Sequence, residues 1–128
     1  MVNYIESSGE EGRQFEGTIS KIEQLEAEGK YPPQYKLTIT PTNKPDWKEQ
    51  TMFISIPGTS TDKDVPTKSY LGFLCKALET MGLKGDTHKE LIESTFGRKF
   101  VFKDLTPKVN GENITKKDKL VWMREVTE

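Results

Sequence analysis

The sequence contains few of the residues that form disulfides and metal centres, and it has no long apolar run of the kind that spans a membrane. Its 128 residues include one cysteine, Cys75, and one histidine, His88. A single thiol cannot form an internal disulfide, and a histidine without a cysteine cluster excludes the usual zinc sites. No apolar run approaches the roughly 18 residues of a transmembrane helix, and the N-terminus lacks the basic start and apolar stretch of a signal peptide. We therefore expect a cytoplasmic protein with no membrane partner and no bound metal.

Catalytic patterns are also missing. Any Ser-His-acid triad would depend on His88, and no G-x-S-x-G sequence is present to supply the nucleophile. The segment 58–63 resembles a phosphate loop only in part, because it lacks the second glycine and no helix begins directly after its lysine. The carboxylates cluster in the first 30 residues and do not form a candidate buried pair. We predict that the chain is not an enzyme and has no cofactor.

The net charge of −1 hides an uneven distribution. Residues 1–30 contain seven acidic and three basic residues, whereas residues 98–124 contain eight basic and three acidic ones. This asymmetry is typical of proteins with a nucleic-acid-binding side. The alternative is two solvated faces of opposite sign, and charge alone favours that alternative. The isoelectric point near 5.9 is below the range of dedicated nucleic-acid-binding domains.

The chain length predicts one domain with a single core. Residues 1–13 are polar and acidic, so we expect a flexible tail there, with the domain covering residues 14–128.

An amphipathic helix is the strongest local signal. Its apolar residues recur at helical spacing, Gly82 follows at the position of a left-handed C-terminal cap, and Leu71 and Cys75 widen the apolar face. Thr87 and Glu90 form a capping-box pattern that starts a second, short helix, which Gly97 ends. The stripe of the first helix is Tyr70, Phe73, Leu74, Ala77, Leu78 and Met81, and the second helix carries Leu91, Ile92 and Phe96.

Five segments alternate as strands do, three before these helices and two after them. The first begins at Phe15, and its alternation slips near Ser20, which predicts a bulge. In the third strand Met52, Ile54 and Ile56 share one face, so Phe53 is expected to point outward. The fifth strand is apolar on both faces, and the sequence leaves open which face is buried. The remaining strands are predicted over residues 35–40, 51–56, 98–105 and 119–126.

This order of elements resembles the OB-fold of single-stranded-DNA-binding proteins of the bacterial SSB and replication protein A type. The resemblance covers about residues 14–126 and rests on element order and bends, since the fold has no strong motif. It implies a mainly β protein, a five-stranded barrel with a helix and a short second helix between strands three and four. The insertion between those strands is longer than usual, and the chain is faintly acidic.

The resemblance also implies where a ligand binds: across strands two and three, flanked by the first and last loops. Because strand five adjoins strand three in that fold, part of strand five could extend the surface. The implied residues are Lys36, Thr38, Phe53 and Ser55 on the sheet, Tyr31 in the first loop, Lys108, Lys116 and Lys117 in the last loop, and Trp122 and Arg124 on strand five.

Trp47, on the loop between strands two and three, adds another aromatic ring to this surface. Structural alternatives remain open for three of the rings. Trp47 could cover one end of the barrel, Tyr31 could pack on Pro32 and Pro33, and Trp122 could belong to the core.

Aromatic rings interleaved with lysines are typical of surfaces that bind single-stranded nucleic acid. We therefore expect non-catalytic binding of single-stranded DNA, or RNA, through stacking and lysine–phosphate contacts, in replication, recombination or repair. The alternative is an OB-fold adaptor that binds another protein, or a second copy of itself, without nucleic acid.

Overall fold

A computed structural model describes residues 14–127 of the chain. The acidic tail predicted over residues 1–13 lies outside the described residues, as does residue 128. The described part forms a mainly β structure with two short helices. Its elements are β1 (Gln14–Leu25), β2 (Gln34–Pro41), β3 (Gln50–Ser55), α1 (Tyr70–Thr80), α2 (His88–Glu93), β4 (Lys99–Leu105), β5 (Lys108–Val109), β6 (Glu112–Asn113) and β7 (Lys119–Glu125).

Five of the strands form one antiparallel sheet in the order β3-β2-β1-β4-β7. β1 is the longest strand, with 12 residues; its first part pairs with β4 and its later part with β2. The register of β1 against β2 shifts between Ile19 and Lys21, which confirms the predicted bulge. A bulge increases local bend and twist, so this one helps the single strand β1 to serve both halves of a curved sheet.

The connector between β4 and β7 contains the small hairpin β5–β6. Asn110 and Gly111 form its turn with φ of 53° and 81°. Two consecutive positive φ angles are what a tight two-residue hairpin turn requires, and Asn-Gly adopts them readily.

Helix α1 begins and ends at the predicted positions. The hydroxyl of Ser69 accepts a hydrogen bond from the Gly72 amide at 3.0 Å, and Gly82 has a φ of 97° at the other end. Gly72 is required inside the helix, because a Cβ there would lie 2.1 Å from the carbonyl oxygen of Pro66. The buried centre of the apolar stripe is Leu71, Leu74, Cys75 and Leu78, while Tyr70, Phe73, Ala77 and Met81 flank it and stay partly exposed.

Helix α2 also has its predicted cap, since the Thr87 hydroxyl accepts a hydrogen bond from the Glu90 amide at 3.1 Å. The helix ends at Glu93, earlier than Gly97 suggested. Phe96 therefore lies in the turn beyond it, and this side chain is 62% exposed instead of packing with Leu91.

A single hydrophobic core joins the inner face of the sheet to both helices. β7 supplies Leu120 and Trp122 to this core, so the doubly apolar strand five turns its tryptophan inward. The Trp122 ring lies 4.9 Å and 5.1 Å from the centroids of Phe100 and Phe102 on β4.

The predicted closure of the sheet into a barrel is not shown. β3 and β7 are the two edges of the sheet, and each pairs with one neighbour among the described residues. α1 contacts both of these edge strands, and its buried residues belong to the same core cluster as theirs. The helix thus covers the apolar interior on the side where a closed barrel would bring β3 and β7 together.

Candidate nucleic-acid interface

The outward side chains of β1, β2 and β3 form a grid on the face of the sheet that is turned away from the core. Directly paired residues of antiparallel strands project to the same side, so the register defines its rows. We call this surface the outer ladder. Its rows are Lys21–Thr38–Thr51, Glu23–Lys36–Phe53 and Leu25–Gln34–Ser55.

Phe53 is the aromatic centre of the outer ladder. Met52 and Ile54 are buried in the core, so the alternation of β3 turns Phe53 outward, where it is 51% exposed. The predicted orientation is thus confirmed. The Lys36 ammonium lies 6.0 Å from the centre of the ring, at the limit of a cation–π contact. One face of a large ring therefore borders solvent beside a positive charge.

The two lysines of the outer ladder are partly neutralised by an acidic residue of the same face. Glu23 lies 3.7 Å from the Lys21 ammonium and 3.9 Å from the Lys36 ammonium. Two lysines thus share one carboxylate, and the ladder carries a net charge of one positive unit. These groups are substantially exposed, so a polyanion could replace the carboxylate as their partner at small cost.

Two hydroxyl residues complete the sheet positions predicted from the resemblance. Thr38 lies between Lys21 and Thr51 in the first row, and Ser55 ends the third row beside Gln34. Thr38 is partly buried and Ser55 is exposed. Hydroxyl groups at such positions can donate hydrogen bonds to phosphate or sugar oxygens.

Tyr31 lies at the end of the hairpin that joins β1 to β2. Its amide and carbonyl exchange hydrogen bonds with Glu28 at 2.9 Å and 3.1 Å, which extends the hairpin to a turn at Gly29 and Lys30. The side chain is 62% exposed. Tyr31 is therefore not packed away on the neighbouring prolines and presents a second accessible ring beyond the start of β2.

Trp47 lies beyond the other end of β2. Its ring packs against the buried Phe15 with centroids 5.3 Å apart, and the Lys44 ammonium lies 5.7 Å from it. The loop is anchored to β1, because Asn43 Oδ1 accepts a hydrogen bond from the Glu16 amide at 2.8 Å. Trp47 therefore covers one end of the core, the structural alternative considered above, while 37% of its surface stays exposed.

Trp122 lies in the core of the protein. It is 2% exposed and packs between β4 and α1 in the core, so its ring has no face to offer a base. Arg124 is exposed, but it lies on β7, the edge of the sheet opposite to β3, where it pairs with Val101 of β4. Their assignment to the same surface as Phe53 assumed that strand five adjoins strand three, and the observed strand order removes that premise.

The lysines of the last loop belong to a different region. Glu112 in this connector forms an ion pair with Lys68, just before α1, at 3.1 Å. Lys108 lines a groove of about 810 Å³ along α1, together with Lys63, Lys76 and Phe73. Lys116 and Lys117 are exposed in the same connector. The connector is thus joined to the segment just before α1 and lines one groove with that helix, and none of the residues lining the groove comes from β1, β2 or β3.

Two charged residues of the outer ladder, Lys21 and Glu23, were not predicted from the sequence. Both come from the part of β1 beyond the bulge, where the alternation of the sequence is lost. Counting back from the turn at Gly29 would have paired Glu23 with Lys36, because the hairpin register continues without a break from the turn to Lys21.

His88 makes a structural contact. Its Nδ1 lies 2.6 Å from the hydroxyl of Tyr35, a core residue of β2, and His88 itself is only partly exposed. Burial raises the pKa of Tyr35 to about 12, with smaller contributions from Cys75 and nearby acids. Burial also raises the pKa of Cys75 to about 11, so its thiol stays protonated at neutral pH. Neither group is poised for nucleophilic chemistry.

Within residues 14–127, no cluster of three or more histidine, cysteine or acidic side chains could hold a metal ion. Neither helix in that part of the chain is long and apolar enough to cross a membrane.

Comparison with known proteins adds no further assignment. No protein-family model matches the chain, and neither a curated protein nor a solved structure matches it.

Proposed function

We propose that this protein binds single-stranded nucleic acid, DNA in the first instance, on the outer ladder without catalysing a reaction. The observation that carries the proposal is Phe53, an exposed aromatic ring on the outer face of the edge strand β3 with the Lys36 ammonium beside it. Stacking of a base on such a ring contributes about 1–3 kcal/mol and tolerates any base. Lys21 and Lys36 would supply phosphate contacts on either side of Glu23.

The strand order supports an OB-like architecture for this function. In the OB-fold, strand five closes the barrel against strand three. If that one contact is opened, the remaining order is the β3-β2-β1-β4-β7 order of this sheet. The bulge of β1 and the helix between the third and fourth main strands correspond as well. We therefore infer an open relative of that fold, with its ligand face on β2 and β3.

Tyr31 lies near this path but off the face of the ladder. Its ring is accessible and its bridge to Glu28 continues the β1–β2 hairpin, but the alternation of β2 places position 31 on the side of the core-facing Tyr35 and not on the side of Lys36. Strands rise about 3.4 Å per residue, so Tyr31 lies on the order of 17 Å along β2 from Lys36. A strand of several nucleotides would contact both Phe53 and Tyr31 only by passing around the end of the hairpin. This path does not include Trp122 or Arg124, and it reaches the connector lysines only if the nucleic acid wraps beyond the ladder.

The decisive experiment compares Phe53→Ala with Phe96→Ala. Both remove an exposed phenylalanine, but Phe96 lies outside the ladder in the turn after α2. Loss of one stacked base should weaken binding of a fluorescently labelled oligo(dT) by about 5- to 150-fold for Phe53→Ala. Fluorescence anisotropy should show little change for Phe96→Ala. Equal affinity of the wild-type protein and Phe53→Ala would refute the proposed platform, and a parallel oligo(rU) titration tests the preference for DNA.

A protein-interaction adaptor is the second candidate. It is favoured by Glu23, which neutralises much of the positive charge on the ladder, and by the position of Phe53 on an edge strand. Such an adaptor would show no salt-sensitive oligonucleotide binding at any tested concentration. That result would also contradict the nucleic-acid proposal, so one titration separates the two candidates.

A further inference from the structure

The two edges of the sheet differ in how they are protected against pairing. Natural sheets usually protect an edge with charges, prolines or a bulge. β7 carries Lys119, Arg124 and Glu125, and its pairing with β4 is interrupted by a register shift. β3, with the sequence Gln-Thr-Met-Phe-Ile-Ser, has no charge, no proline and no register shift. β3 is therefore the edge that can accept another strand.

The backbone groups that face this open edge can be identified from one hydrogen bond. The Ile56 amide donates to the Pro33 carbonyl at 2.9 Å, so this pair is hydrogen bonded across β2 and β3. In an antiparallel ladder such pairs alternate with pairs whose N–H and C=O groups point away. Three residues of β3 therefore direct both backbone groups outward from the sheet, and all three are exposed: Thr51, Phe53 and Ser55.

We propose that β3 pairs with β3 of a second copy of this chain. The two strands run antiparallel around a two-fold axis at Phe53, and the two sheets become one. This interface is distinct from nucleic-acid binding and does not depend on it.

Two conditions determine the register of the proposed β3–β3 pair: the face of the sheet on which each side chain lies, and the positions of the backbone N–H and C=O groups that point outward. A two-fold axis perpendicular to the sheet keeps both outer ladders on the same side, so paired residues must come from the same face. The register centred on Phe53 pairs Phe53 with itself and Thr51 with Ser55. Every outward N–H and C=O of these three residues is then hydrogen bonded. Registers centred on Met52 or Ile54 leave one of the three without a partner within β3.

The side chains suit a self-pairing strand better than a pairing with an unrelated one. Around the two-fold axis Phe53 meets its own copy and Thr51 meets Ser55, so charges of one sign at these positions would repel each other across the interface. β3 contains none. The two Phe53 rings would be cross-strand neighbours, and Thr51 would lie opposite Ser55; aromatic and hydroxyl pairs of this kind stabilise paired strands.

The interface is small, because one short strand and few side chains contribute to it. Interfaces well below about 1,200 Å² are usually transient, so we expect a dimer that dissociates on dilution. In this dimer the two outer ladders would be continuous, and both Phe53 rings would remain on the outer face.

Sedimentation velocity without nucleic acid, over a wide range of protein concentration, tests the proposal. The wild-type weight-average mass should rise from that of one chain toward that of two. Thr51→Pro removes an outward amide at an exposed edge position and should abolish this rise, while the matched Thr51→Val keeps the amide and should retain it. A wild-type mass that stays at one chain would overturn the proposal. So would a dimer that Thr51→Pro leaves intact.

A charge pair tests the register independently of proline. Thr51→Lys with Ser55→Glu places opposite charges face to face in both halves of the proposed interface and should tighten the dimer at low salt. Thr51→Lys with Ser55→Lys places like charges there and should leave only monomer. Equal dimerisation of the two double variants would exclude the register centred on Phe53.

Discussion

Substitution of Glu23 by glutamine probes the charge balance of the outer ladder directly. The carboxylate lies 3.7 Å and 3.9 Å from the ammonium groups of Lys21 and Lys36, so it neutralises both in part. The amide has nearly the same shape but no charge. Glu23→Gln therefore raises the net charge of the ladder from one to two positive units and removes a negative charge that would repel phosphate.

The magnitude follows from Coulomb's law at an exposed site. Two unit charges about 4 Å apart interact by about 1 kcal/mol in water, so removing one unfavourable contact with a phosphate should tighten binding about fivefold. If the freed lysines neutralise one more phosphate, the slope of log affinity against log salt should steepen by about 0.7 for a single strand. The melting temperature should change little, because exposed ion pairs contribute about 0–1 kcal/mol to stability.

The assay is the anisotropy titration with labelled oligo(dT), repeated at several salt concentrations. Glu93→Gln is the matched control, because Glu93 is exposed on α2, outside the ladder, and the substitution changes the net charge of the protein equally. Tighter binding by Glu23→Gln alone supports the ladder. Unchanged or weaker binding by Glu23→Gln, or equal tightening by Glu93→Gln, would show that the nucleic acid does not contact this face.

Two further predictions concern the connector and the core. Lys116→Ala with Lys117→Ala should lower the salt slope of oligonucleotide binding by about 1.4 if the strand wraps from the ladder onto the connector, and an unchanged slope would confine the path to the ladder. Tyr35→Phe should lower the free energy of unfolding by about 0.5–1.5 kcal/mol at neutral pH, because its hydrogen bond with His88 is lost. The folded-state pKa of Tyr35 is raised from 10.0 to about 12, so its protonated form stabilises the fold below pH 10 and that contribution disappears as the pH rises toward 12. Urea unfolding should then show the deficit of Tyr35→Phe shrinking across that range, and a constant deficit would contradict the buried phenol.

Local features of the chain were predictable because their causes lie within a few residues. The helical spacing of Leu71, Leu74 and Leu78 determines α1, and the hydroxyl of Thr87 starts α2. The alternation in β3 turns Phe53 outward whatever the partner strands are, since neighbouring side chains point to opposite faces. The slip in the alternation near Ser20 predicted the bulge for the same reason.

Positions that depend on distant partners were not predictable in this way. Trp122 lies on a strand with two apolar faces, and only the packing of β4 and α1 against β7 selects the face that is buried. The partner of His88 is Tyr35, 53 residues away in the sequence. The expected barrel closure failed for a similar reason, because the helix that covers the core contacts both edge strands.

By itself, the sequence determined the five main strands, helix α1, the Thr87 cap of α2, the bulge and the outward aromatic ring of Phe53, since each depends on periodicity or on a side chain binding its own backbone. Only the tertiary structure decided that β3 and β7 stay apart, that Glu23 lies between two lysines and that Glu112 of the connector forms an ion pair with Lys68 just before α1. These are contacts between segments far apart in the chain, and their free energies depend on which surfaces the fold brings together.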